Sequence, residues 1–259
     1  MILGSDPEHD RRLSEAFDRQ APAFSRAPVQ NDPAALARLV AFADLPAGSH
    51  VLDAGCGPGI VAEALLAAGH RVTGVELSIV SIRHARERTA RFADRAEFVQ
   101  GSVLHPVAPG PFDAAVSRYV VHHVQDPLAF LHAQVDRLRP GGALVVCDHL
   151  TDPDPDRAAW HQEIERGRDV THTRNLTAGE LVDLFARVGL DDVALVEEPF
   201  TLDFDEWLVR GAGLRADRPT REQVLAGPGA RGFRAGVPDD AGRLPIHCVR
   251  ALVRGRKRP

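Results

Sequence analysis

Lysine is almost missing from this 259-residue chain, and Lys257 is its only example. Methionine also occurs once. We read both shortages as the coding habit of a genome rich in G and C, not as chemistry. A basic excess is missing too: the formal net charge is −5, which leaves nothing to neutralise a duplex backbone. Nucleic acid is therefore not expected as an obligatory partner. Three cysteines (Cys56, Cys147, Cys248) lie far apart, with no CxxC pair and no metal-type spacing, so no metal centre is expected. The stretch Met1 to Arg12 has no apolar signal region, and no apolar run approaches the ~20 residues of a membrane span. These absences predict a cytoplasmic protein without a membrane span.

What is present suits one large domain, or one domain with a modest cap. Hydrophobic residues make up 44% of the chain and charged residues 26%, ordinary values for a globular protein with a sizeable core. Up to about Ser49 the pattern reads helix, loop, helix, with Leu36, Leu39, Val40 and Phe42 at helical spacing. Apolar strand-like runs then alternate with helices. The strands are expected at His50 to Ala54, Arg71 to Leu77, Glu97 to Gln100, Phe112 to Tyr119 and Ala143 to Asp148. Between them lie helices from Ile60 to Ala68, Ser81 to Phe92 and Asp126 to Leu138, the last stopped by Pro140-Gly141-Gly142. Such alternation predicts an α/β fold, a doubly wound, mostly parallel sheet with its ligand at the carboxyl ends of the strands.

Beyond Asp148 the pattern loosens. Helices are expected at Arg157 to Arg168 and Thr177 to Val188, and strands at Asp191 to Glu197 and Ile246 to Val253. The region from Asp203 to Gly242 is rich in Arg, Gly and Pro and reads as only partly helical. Its arginines, from Arg210 to Arg243, are expected on solvated surface, with a pocket for an acidic substrate as the alternative. Met1 to Asp10 and Arg256 to Pro259 are expected to be disordered tails. The organisation that follows is an N-terminal helical cap segment (1–49), a ligand-binding core (50–150), and a C-terminal part (151–259) that completes the sheet and adds to the cap.

The segment Val51-Leu52-Asp53-Ala54-Gly55-Cys56-Gly57-Pro58-Gly59 carries the most information. A strand feeds a turn whose glycines let a ligand approach the backbone, and the next helix presents free N–H groups. Glu76 closes the following strand, roughly the ~20 residues on at which a carboxylate meets ribose hydroxyls. An adenosine-containing ligand follows. The glycine spacing is G-x-G-x-G with Ile60 where a dinucleotide fingerprint wants its last glycine. Asp53 beside the turn would repel a pyrophosphate and attract an ammonium group. S-adenosylmethionine fits that pattern; a nicotinamide or flavin nucleotide, or a purely structural turn, remains as the alternative.

Val51 to Gly59 resembles motif I of the class I S-adenosylmethionine-dependent methyltransferases. Val75-Glu76-Leu77-Ser78 is similar to the acidic motif after their second strand, and Phe112 to Pro127 resembles the fourth-strand motif. Leu138 to Gly142 with Asp148 resembles the turn and fifth strand. Arg168-Asp169 to His172 and Leu176-Thr177 resemble a segment of the subgroup related to the ubiquinone and menaquinone C-methyltransferases. The likeness runs from about Leu13 to Val253. It implies a Rossmann-like, seven-stranded sheet with its last strand antiparallel, plus a helical cap. It also implies cofactor contacts at Gly55, Cys56, Gly57 and Gly59, with Asp53 beside them and Glu76 on the ribose. Leu77 would pack on the adenine, and the backbone at Ser117 and Arg118 would face the amino group. Where relatives place an Asp for the adenine, this chain has Gly101-Ser102-Val103, so Ser102 would substitute.

Transfer of an activated methyl group needs alignment and exclusion of water more than a fixed catalytic set. A base is required only where the acceptor is a weak nucleophile when protonated. His122 and His123 after the fourth strand, His149 after the fifth, and His172 are the candidates, each with an ordinary packing role as its alternative. Phe17, Phe24, Tyr119, Trp160 and Trp207 could roof an acceptor pocket, although the tryptophans equally suit packing between helices. The expected activity is methyl transfer to a carbon or oxygen of a small organic acceptor, in quinone or specialised-metabolite biosynthesis. The rivals are a cofactor-steered isomerisation or cyclisation without transfer, and a nicotinamide oxidoreductase. A homodimer is compatible with the sequence.

Overall fold

The computed structural model describes residues 7–105, 108, 110–211 and 218–259. Five parallel strands form the heart of the molecule: β1 (His50–Ala54), β2 (Arg71–Glu76), β3 (Ala96–Gln100), β4 (Phe112–Arg118) and β5 (Leu138–His149). Three more follow, β6 (Leu190–Asp203), β7 (Arg234–Ala235) and β8 (Pro245–Lys257). The order across the sheet is β3-β2-β1-β4-β5-β8-β6, with the two-residue β7 added on β8. β8 runs antiparallel to both β5 and β6. The seven-stranded path with its last strand antiparallel is thus present, and β7 is an addition to it.

Side-chain alternation explains why the sheet is covered on both faces. Val51, Ala114, Val116, Ala143, Val145 and Leu252 point to one face, against α2 (Pro33–Ala43), α3 (Ile60–Ala67) and α4 (Ile79–Arg88). Leu52, Ala54, Ala115, Leu144, Val146 and Val253 point to the other, against α5 (Pro127–Val135) and α7 (Ala178–Arg187). A third apolar cluster joins Leu202, Ile246 and Cys248 to α6 (Pro155–Arg168), α8 (Phe204–Val209) and α9 (Arg221–Ala226).

Several boundaries differ from those expected, each for a local reason. α6 starts at Pro155 because Asp154 caps it, accepting from the Asp156 and Arg157 amides, and Pro155 needs no donor at N1. The same Asp-Pro pairing opens α2 and α5. β5 begins at Leu138, and the Pro140-Gly141-Gly142 turn bulges within it: Phe112 pairs with Leu138, but Ala114 pairs with Ala143. Two of the expected tails are also partly ordered. α1 (Pro7–Arg26) includes residues 7–10, while residues 1–6 of that tail lie outside the described residues. At the other end, Arg256 and Lys257 complete β8, and the Lys257 ammonium donates to the Val135 and Leu138 carbonyls.

The segment 1–49 does not act as one cap. α1 crosses the carboxyl end of the sheet, where Ser14 Oγ donates to the Leu77 carbonyl, and Ser78 Oγ donates to Asp18 at 2.5 Å. α2 instead lies beneath the sheet, its Leu39 and Ala43 buried with Val51 and Leu66. β6 and β8 extend past the end of β5: Pro199↔Val249 to Asp203↔Pro245 forms a ribbon beyond the parallel strands, with β7 added along the other edge of β8 at Ile246 and His247. α1 and this ribbon are the two walls that rise above the sheet.

Gly59 belongs to the packing of this core. It caps α3 at φ 78°, and a Cβ there would lie 2.9 Å from the Ala85 Cα and Cβ on α4. It does not line the cavity described below, and its close packing on α4 is by itself a reason for a glycine there. Gly59→Ala is expected to lose about 2–4 kcal/mol of stability, from the left-handed backbone and the overpacked contact together. Urea unfolding of the ligand-free protein checks this, and an unchanged midpoint would contradict it.

Candidate active site

The turn between β1 and α3 holds Gly55 and Gly57 at φ 75° and 50°, a region open to glycine without strain. The Gly55 and Cys56 amides both donate to the Val75 carbonyl, at 2.9 and 3.1 Å, which laces the turn to β2. A Cβ on Gly55 would strike Val120, whereas that of Gly57 would meet nothing within 4 Å. The Gly57 amide donates to one oxygen of Glu76 at 2.9 Å, and the Ser78 amide donates to the other at 2.9 Å. Burial pushes the Glu76 carboxyl up, and these backbone donors oppose the shift.

Asp53 ends beside the same turn. It is buried, and burial followed by the neighbouring Glu76 charge pushes its carboxyl up to about 7. Its Oδ2 has no hydrogen-bond partner. A buried carboxylate oxygen without a donor is costly unless something completes it. Asp53 also faces an open space, a cavity of about 330 Å³. Gly55, Cys56, Gly57, Glu76, Leu77, Ser102, Val103 and Arg118 line that cavity. Phe17, Gln20 and Phe24 of α1 roof it. Ser117 does not line it; its side chain is buried and its Oγ unpartnered.

A smaller cavity, about 40 Å³, adjoins the first, and the two share Phe24, Gln30, Tyr119 and His123. His122, His149 and His172 line the smaller one, with Glu165, Arg168, Arg210 and Trp207. The four candidate histidines therefore gather in one place: the His122 ring lies 4.1 Å from that of His123, 5.5 Å from His149 and 5.7 Å from His172, centroid to centroid. Tyr119, in the left-handed region at φ 60°, stacks on His149 at 4.5 Å, and its hydroxyl accepts from Arg250 at 2.8 Å. Trp160 lines neither cavity; its ring sits against Gly227 and Phe233, where the helix-packing alternative holds.

These histidines differ sharply in charge. Burial presses the His122 imidazole down, but the Asp148 carboxylate, 2.6 Å from Nδ1, outweighs it and leaves the net pKa raised. Asp148 is in turn held at about 2, as His122 overcomes the opposite effect of burial. Burial and then the His122 charge push His123 down to about 4 and His149 to about 3. His172, also depressed by burial, is engaged through Nε2 with Gln162 at 2.8 Å. Among the described residues no group of three His, Cys, Asp or Glu side chains is arranged to hold a metal.

Sequence reasoning found the histidines but missed Gln20, Glu165, Arg168 and Arg210 as cavity residues. A hint existed for Arg168 and Glu165, which sit three apart on α6 and pair at 3.0 Å. Arg210 gave only the signal of its arginine-rich stretch, for which a pocket for an acidic substrate stood as the alternative to solvated surface.

Residues 29–195, more than half of the chain, match the methyltransferase-domain family. Among curated proteins, the uncharacterised YafE of Escherichia coli K12 is 36% identical over 105 residues, spanning 40% of this chain and 51% of YafE. The ubiquinone biosynthesis O-methyltransferase of Xanthomonas campestris pv. campestris is 36% identical over 135 residues, spanning 51% of this chain and 54% of that enzyme. The chain thus spans about half the length of these relatives. Two solved structures share its fold. The YcgJ protein of a Bacillus gives a TM-score of 0.73 at 22% identity, covering 87% of this chain and 99% of YcgJ. The [4+2]-cyclase SpnF gives 0.65 at 19% identity, covering 96% of each. The family match decides the cofactor in favour of the sulfonium compound over a dinucleotide. The chain belongs to the methyltransferase-domain family, as a class I member with S-adenosylmethionine as its cofactor.

Proposed function

We propose that this chain moves a methyl group from S-adenosylmethionine to a carbon or oxygen of a small organic acceptor, in quinone or specialised-metabolite biosynthesis in the cytoplasm. The observation that carries this reading is the meeting of two cavities, a large one at the glycine turn and a small one lined by histidines, at His123 and Tyr119. The residues of the larger one suit the cofactor. The unpartnered Asp53 oxygen would accept from its ammonium group, Glu76 would take the ribose hydroxyls, and Leu77, Ser102 and Val103 would flank the adenine. The bound cofactor supplies an activated methyl on a sulfonium, so the chain need only align the acceptor and keep water out. Phe17 helps to keep water out, because it packs edge-on against His123 at 5.1 Å and closes α1 over the junction.

The smaller cavity suits an acceptor that must lose a proton. His122 is oriented by Asp148 through Nδ1, which leaves Nε2 for a phenol, enol or activated carbon. The ubiquinone O-methyltransferase likeness favours an oxygen acceptor on a ring. The small capacity of this cavity favours a compact molecule over a macromolecule. The placement in the cytoplasm rests on three cysteines that are free and buried, and among the described residues no helix is long and apolar enough to cross a membrane. A second reading, cyclisation or isomerisation with the cofactor retained, has one support: SpnF, named as a [4+2]-cyclase, shares the fold.

Methyl-labelled S-adenosylmethionine incubated with a panel of phenols and hydroxylated aromatic acids separates the two. Labelled product together with S-adenosylhomocysteine is expected; product without label or S-adenosylhomocysteine would decide for cyclisation.

Cofactor binding should carry a pH signature from Asp53. Its carboxyl titrates near 7 in the free protein, and a bound ammonium group favours the ionised form. Affinity for S-adenosylhomocysteine is therefore expected to rise as pH increases through 7, with proton release on binding. Calorimetry in buffers of different ionisation heat measures this, and Asp53→Asn should remove the release; an unchanged release in that variant would count against the assignment.

The His122–Asp148 pair makes a further prediction. In Asp148→Asn the raising charge is gone and burial governs, so the His122 pKa should fall from above its ordinary ~6.5 to below it. Histidine-ring NMR titration reads this directly. The ascending limb of the rate profile should move to lower pH, with the plateau reduced about 10²-fold or more.

A further inference from the structure

A buried arginine that forms no salt bridge among the described residues stands in the wall of the smaller cavity. Arg210 follows α8, is 9% exposed, and donates through Nε to the Glu206 carbonyl at 3.0 Å. Among the described residues it forms no salt bridge. The other charges around the cavity are matched. Arg168 pairs with Glu165 at 3.0 Å, and His122 pairs with Asp148 at 2.6 Å. His123, His149 and His172 are all pressed down and so neutral at pH 7. Arg210 is the guanidinium in this wall with no carboxylate within salt-bridge distance among the described residues; Glu206 and Glu165 act on it only from farther away. Burial, then the charge of Arg168, draws that guanidinium down to about 10, so it stays protonated at neutral pH.

A charge taken out of water without a partner destabilises the empty protein, and the residue is kept there at that cost. An anionic ligand group would relieve it. The guanidinium fork matches a carboxylate by two parallel N–H···O bonds. Phe24, Tyr119, Phe200 and Trp207 surround the space with rings.

We propose that the smaller cavity is a subsite for an aromatic carboxylate, with Arg210 holding the carboxylate of the methyl acceptor while His122 and Tyr119 lie against the rest of the molecule. Arg210 is then a specificity-determining residue that selects acidic acceptors over their neutral isosteres. The inference rests on the methyl-transfer reading and narrows its substrate class. For this arginine it takes up the alternative of a pocket for an acidic substrate in place of the expectation of solvated surface.

The test uses the full chain saturated with S-adenosylhomocysteine and two probes of equal shape, benzoate and benzamide, titrated by calorimetry at pH 7.5. Benzoate is expected to bind at least tenfold more tightly than benzamide. Arg210→Gln should bring the two within twofold, Arg210→Lys should keep part of the preference, and both variants should hold S-adenosylhomocysteine as the unaltered chain does. Equal binding of the probes, binding of neither, or a preference that survives in Arg210→Gln would overturn the subsite. Should the Gln variant not fold, a crystal of the unaltered protein with benzoate decides: the carboxylate on Arg210 supports the proposal, and any other position overturns it. Loss of S-adenosylhomocysteine binding by the unaltered chain would instead sink the methyl-transfer reading, so the two failures are told apart.

Discussion

One buried carboxylate holds the working end of this molecule together. Glu76 accepts from the Gly57 amide of the glycine turn and from the Ser78 amide at the start of α4. Ser78 continues the chain of bonds, its hydroxyl donating to Asp18 on α1. Turn, strand end and roof helix are thus tied through a single side chain. Each oxygen of Glu76 already has a backbone donor, so a ribose placed beside it meets a carboxylate fixed in position before binding. That is preorganisation in the sense that matters for affinity, because little ordering is left to the ligand's arrival.

The same constraint explains why the site lies where it does. A parallel sheet covered on both faces has its exposed backbone only at its ends, and helix N-termini collect at the carboxyl end. Two walls rise there. α1 supplies Phe17, Gln20 and Phe24, and the β6–β8 ribbon supplies Phe200, Leu202 and Cys248. The ribbon exists because β8 is antiparallel: its early residues overshoot β5 and pair with β6 on one side and the two-residue β7 on the other. An all-parallel sheet would have ended flush with β5 and left the acceptor side open. Fold topology, more than any one residue, therefore divides the space into a cofactor room and a smaller neighbour.

The core was readable because its signals are local. Alternating apolar runs from Val51 to Val146, Asp-Pro helix starts and the glycine turn each follow from a few adjacent residues. The lengths of β6 and β8 were not readable in the same way, since the extra residues of the ribbon are held by each other across some fifty positions of sequence. The histidines were recognisable as candidates from their places after strands β4 and β5, but their charges were not. His122 and His149 are alike in sequence context, and only the position of Asp148 against Nδ1 makes one protonable and the other neutral. Gly59 sits in the motif, and the closeness of Ala85 gives it a packing reason that the sequence did not show.

Crowding four imidazoles into one buried corner has a consequence for proton traffic. In a low-dielectric site a second imidazolium beside the first is strongly disfavoured, and rings 4–6 Å apart feel each other fully. Asp148 stabilises a proton on His122, and the other three rings are pressed towards neutrality. Under the proposed function, a proton leaving an acceptor would then go to His122. The companions are then free to serve as hydrogen-bonding and stacking surface, as His149 does against Tyr119. A base oriented by a carboxylate and screened from water by aromatic neighbours is what an oxygen or carbon acceptor of low acidity would require, and the His122–Asp148 pair would meet that need under the proposed function, whereas an already reactive amine would leave the pair without a catalytic task.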